Sequence, residues 1–132
     1  MEREDIKLYR KYMPMLADFM VKHGYTQKPL CKVILDDTKQ DGLFIKTGYF
    51  DPDRNGIRLF INGRHPKDVL RTLAHELRHW NQQLNGEIEK SGYKGDKISE
   101  DENLIKLEKD AFLMGNIAFR MWTEEMQRKG EK

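Results

Sequence analysis

The sequence predicts a small α+β domain in the order helix, three strands, helix, loop, helix. Three observations lead there. Residues 3–23 carry apolar groups at helical spacing, and three short β-rich runs follow, two of them joined by the turn-forming "DPDRNG". Beyond residue 65, two more stretches return to helical spacing. With 132 residues the chain suits one domain, 1–132, around a single modest core.

The first helix is read from Ile6, Leu8, Tyr9, Tyr12, Met13, Leu16, Phe19 and Met20, with Gly24 as its stop. Pro14 is expected to bend it or split it in two. "CKVILDD", "LFIKTGYF" and "GIRLFING" are the three strand candidates, the second and third forming a hairpin about "DPDRNG". A second helix begins at "HPKDV", where Pro66 suits the first turn and Asp68 complements the N-terminal dipole. It runs to about Leu84, ended by Asn85-Gly86. The polar run "EIEKSGYKGDKISEDEN" reads as a loop, and the last helix spans Leu104 to about Gln127. No internal repeat or low-complexity segment interrupts this order.

Charge and cysteine content exclude several function classes. Net charge is +2, with basic and acidic residues interspersed and no basic block, which argues against a nucleic-acid partner. No apolar run approaches the roughly 18–20 residues of a membrane span, and "MEREDIKLYRKY" does not read as a signal peptide. The expected location is therefore cytoplasmic; a phage-encoded chain would lie in the host cytoplasm or virion. Cys31, the only cysteine, reads as a small buried hydrophobe.

The second helix carries the chemistry. His75-Glu76-Leu77-Arg78-His79 is an H-E-x-x-H pentapeptide. At about 100° per residue, Leu70, Leu73, Leu77, Trp80 and Leu84 form the core stripe, and His75 and His79 lie roughly 160° from its centre. They are either solvated polar residues or two metal ligands one turn apart in a cleft. A catalytic zinc takes three protein ligands and a water, whose proton a nearby carboxylate accepts. Glu76 is placed to be that general base.

The third ligand is sought on the last helix. There Leu104, Leu107, Ala111, Gly115, Ala118 and Trp122 form an apolar stripe with Glu108 inside it. A carboxylate on an apolar face requires a partner, and a metal would serve. Ala111 and Gly115 are small enough to let the two helices approach. An arginine at the core edge is the other partner that Glu108 could have, and Asp110 is the rival ligand. Glu108 is favoured, with Asp110 orienting a histidine from behind. Glu100, Asp101 and Glu102 read as solvated.

"HPKDVLRTLAHELRHWNQ" followed by "LEKDAFLMGNIAFRMW" resembles the minimal gluzincin metallopeptidases, which include small bacteriophage proteins. Their pattern is an H-E-x-x-H helix and a later helix with a Glu-x-x-Ala element, matched here by Glu108-Lys109-Asp110-Ala111. The resemblance spans roughly residues 57–122. It implies one zinc held by His75, His79 and Glu108, with Glu76 as general base and acid. It also implies that the strand "GIRLFIN" edges the cleft and pairs with an extended peptide substrate. One departure is visible: many relatives carry an acid four residues after the glutamate ligand, where this chain has Phe112.

The attacked carbonyl becomes an oxyanion and calls for a donor. Tyr93, in the glycine-flanked "SGYKGD", is the first candidate, with His65 and His23 behind it. Trp80 and Trp122 are assigned to the core. The sequence thus reads as a zinc-dependent metallopeptidase acting on a peptide or protein, with no membrane partner; its oligomeric state is not legible. Two alternatives stand beside this reading: a non-catalytic zinc-stabilised binding module, and a regulator-cleaving or DNA-associated protease.

Overall fold

The structure, a computed structural model, describes residues 3–28, 31–40, 46–87 and 102–130. Among the described residues, three helices and a three-stranded mixed sheet make an α+β fold, as the periodicities predict. The chain runs through α1 (Glu4–Lys22), β1 (Lys32–Asp36), β2 (Gly48–Asp51), β3 (Gly56–Phe60), α2 (Pro66–Leu84) and α3 (Glu102–Arg128). None of the described helices is long and apolar enough to cross a membrane.

α1 is a single helix, with Pro14 inside it. Pro14 forgoes one backbone hydrogen bond, yet Met13, Leu16 and Ala17 around it are all buried, and their packing holds the helix together. Leu8, assigned to the apolar face, is 41% exposed at the margin of that face.

The hairpin forms as expected, with β2 antiparallel to β3. β1 then pairs in parallel with the other side of β3, from Lys32 opposite Gly56 to Asp36 opposite Phe60. The strand order is β1-β3-β2, so β3 is central. This corrects the expectation for "GIRLFIN". With a neighbour on each side, β3 has no free row of N–H and C=O groups for an added strand. The sheet edge next to α2 belongs to β2.

Ile57, Leu59 and Phe50 point from the sheet into one core with Leu16 and Met20 of α1 and Leu73 and Leu77 of α2. Arg64 ties the sheet to α2. Its Nη1 donates to the carbonyls of Thr47 and Phe60, both at 2.9 Å, and its Nη2 donates to Asp68 O at 3.0 Å and Thr72 Oγ1 at 2.8 Å.

α2 has both expected ends. Pro66 stands in its first turn, and Asn85 and Gly86 (φ +78°) close it. Its N-cap is His65, whose Nδ1 accepts the Lys67 N–H at 3.0 Å. The sheet, α1 and α3 all pack against α2, and α3 does so at the backbone of Ala74 and His75. The face that projects away from the apolar stripe is therefore also an interior face. That arrangement builds the site.

Candidate metal centre

α3 approaches α2 because its contact stripe is small. Ala111 and Ala118 are fully buried, and a Cβ added to Gly115 would lie 2.8 Å from His75 Cα and 2.9 Å from His75 N. At that separation a side chain one turn or two away on α3 reaches the polar face of α2. Glu108, seven residues before Gly115, is on that side.

The two histidines of α2 converge there. Their ring centroids are 4.9 Å apart. His79 Nε2 lies 2.8 Å from Glu108 Oε1, and His75 Nε2 lies 3.5 Å from Glu108 Oε2. Donor atoms bound tetrahedrally about 2.0–2.1 Å from a zinc ion stand about 3.3 Å from one another. The two observed spacings fall on either side of that value. Side-chain exposure grades across the group, 1% at His79, 24% at His75 and 32% at Glu108, so the cluster has one open flank.

Glu76 lies behind the histidines. His75, Glu76 and His79 offer ligand atoms all within 4.8 Å of one another. Glu76 is only 5% exposed beside the Phe50 backbone of β2, and among the described residues its buried Oε1 has no hydrogen-bond partner. A buried, half-satisfied carboxylate is costly unless something else meets it. Burial pushes its pKa up, against the pull of the two histidines. Glu108 shifts the opposite way. Burial raises it, but hydrogen bonds from His75 and His79 outweigh that and hold its carboxyl down at about 2. Burial opposes charge on His79, yet Glu108 and Glu76 beside it leave its pKa raised. Two imidazoles, two carboxylates and an open flank fit a divalent cation of the zinc type.

Asp110 is elsewhere. Arg78 holds it with Nε at 2.8 Å and Nη2 at 3.3 Å, and Gln82 Nε2 donates to it at 2.9 Å. Arg78 Nη1 also donates to the Tyr25 carbonyl at 2.7 Å, tying the start of the β1 approach to this pair. Of the two candidate ligands on α3, then, the one that meets an arginine is Asp110, and the one that meets the histidines is Glu108. Asp110 makes no direct histidine contact among the described hydrogen bonds; it reaches His79 through Gln82.

Sequence reasoning missed Arg78 and Gln82. Their signal was periodic: residues 75, 78, 79 and 82 fall within about a 100° arc of one helix, a polar stripe where only two members were singled out. Of the oxyanion-donor candidates, Tyr93 lies outside the described residues, as do Glu100 and Asp101. His65 caps α2 ten residues before His75, about 15 Å along the axis. His23 follows α1 and its ring lies against Phe19, with centroids 4.2 Å apart. Trp122 is buried in the core and Trp80 packs against it from Phe50.

Compared with known protein families, curated proteins and solved structures, the chain matches none.

Proposed function

We propose that the chain is a zinc-dependent metallopeptidase of the gluzincin type, with His75, His79 and Glu108 as ligands and Glu76 as general base. One observation carries this reading. Two imidazole Nε2 atoms of α2 meet a single carboxylate of α3, and a second, buried carboxylate with an unpartnered oxygen adjoins them. When bound, the zinc would lower the pKa of a coordinated water and polarise a substrate carbonyl.

The protein's own groups supply the rest. Glu76 lies beside the Phe50 backbone, and its Oε1 meets no donor among the described residues. Burial raises its pKa, which strengthens it as a proton acceptor. The open flank by His75 and Glu108 is the approach for a peptide. An extended substrate would lie along the outer edge of β2, because β3 has both neighbours.

A purely structural zinc module would use the same three ligands but has no need of Glu76. The test is to load the purified protein with zinc and screen it against a peptide library beside Glu76→Gln. Cleavage by the parent and none by the variant is expected. Equal cleavage by both would remove the proposed mechanism, and metal binding without cleavage of any peptide would favour the structural module.

A further inference from the structure

We propose that Gln82 is a positioning residue that fixes His79 as its Nδ1–H tautomer and is itself oriented by Asp110 and the Leu107 carbonyl. This rests on the reading of His79 as a ligand, because a ring protonated at Nδ1 keeps Nε2 as the electron-pair donor on the Glu108 side.

The orientation of an amide is decided by its neighbours. One end of Gln82 faces two oxygens that can only accept: Leu107 O at 2.9 Å and Asp110 Oδ2 at 2.9 Å. Only the NH₂ end can satisfy both. Its two N–H bonds are thereby used, and the carbonyl end is turned to His79, with Oε1 2.8 Å from Nδ1. A carbonyl oxygen accepts and cannot donate, so Nδ1 must carry a proton. Gln82 is 1% exposed and His79 is fully buried, which excludes bulk water as a competitor for either group.

Asp110 is pinned in turn by the two-point contact with Arg78. The order of control is Arg78, Asp110, Gln82, His79, running from α2 to α3 and back. The position four residues after Glu108 is Phe112. Phe112 is 65% exposed and has no part in the cluster. An acid two residues earlier, acting through an intervening amide, provides a histidine anchor here.

The test uses ¹⁵N imidazole spectra of the full-length protein, metal-free and zinc-loaded. The parent should show a protonated Nδ1 at His79 in both; in the metal-free protein Nε2, 2.8 Å from Glu108 Oε1, can carry a second proton. A parent whose His79 Nδ1 is unprotonated with zinc bound overturns the proposal, and that measurement needs no variant to fold. Gln82→Leu should lose the single tautomer, and in a chelator competition should bind zinc about 10–100-fold more weakly. An unchanged tautomer in Gln82→Leu also overturns the proposal. A parent that shows the tautomer but binds no zinc would support the role of Gln82 while removing the metal reading.

Discussion

Gly115 of α3 lies directly against the backbone of His75 in α2, so close that an added Cβ would stand 2.8 Å from His75 Cα. The absence of a side chain at 115 lets Glu108 reach the histidines. In a free helix, replacing glycine by alanine stabilises by about 1 kcal/mol. Here the neighbour is backbone and cannot rotate away, and overpacking of that kind typically costs about 1–3 kcal/mol. Gly115→Ala should therefore lower stability in urea unfolding and weaken metal binding. A gain in stability would contradict the contact.

His79→Ala should abolish stoichiometric zinc. The parent is expected to hold about one zinc per chain, and elemental analysis of both proteins after identical dialysis is the measurement. A full equivalent retained by the variant would place the ion elsewhere.

Glu108→Ala and Asp110→Ala should separate in one chelator competition. Glu108 meets both histidines, whereas Asp110 meets Arg78 and Gln82. Loss of a ligand should release zinc under a mild challenge, while Asp110→Ala should bind about 10–100-fold more weakly than the parent and survive that challenge. The reverse order would make Asp110 the ligand.

Glu76→Gln should keep the fold and the metal. In the metal-free protein it should melt no lower than the parent, because it exchanges a buried carboxylate with an unpartnered oxygen for a neutral group of the same shape. General-base loss typically slows turnover by about 10²–10⁴-fold. A variant that loses zinc would show that Glu76 is itself a ligand.

Cys31 should be slow to alkylate. Burial pushes its thiol up to about 11, so at pH 8 its thiolate fraction is on the order of a hundredfold below that of a free cysteine. The rate should climb about tenfold per pH unit from 8 to 10. A rate that is already level by pH 9 would contradict this.

Much of the site could be read along the chain. H-E-x-x-H spacing places two imidazoles on one flank whatever surrounds the helix, and Glu108 stood out as an acid within an apolar stripe. Both inferences use only the 3.6-residue repeat. Gln82 and Arg78 did not stand out, since a polar residue on a polar face has no conspicuous feature until another helix covers it.

What the sequence by itself determined was local: where α2 begins and ends, because Pro66 and Asn85-Gly86 act through their own backbone preferences, and which side chains share a face. The hairpin about "DPDRNG" belongs with these, since its partners are only a few residues apart. The tertiary structure decided what those faces meet. Pairing of β1 with β3 made β3 the central strand, and the pairing joins residues 24 apart along the chain, Lys32 with Gly56. The approach of α3 at Gly115 turned the polar side of α2 into an interior, burying His79 and setting Glu108 before it. Such contacts depend on the shape and depth of two surfaces at once, and no periodicity within either segment contains that information.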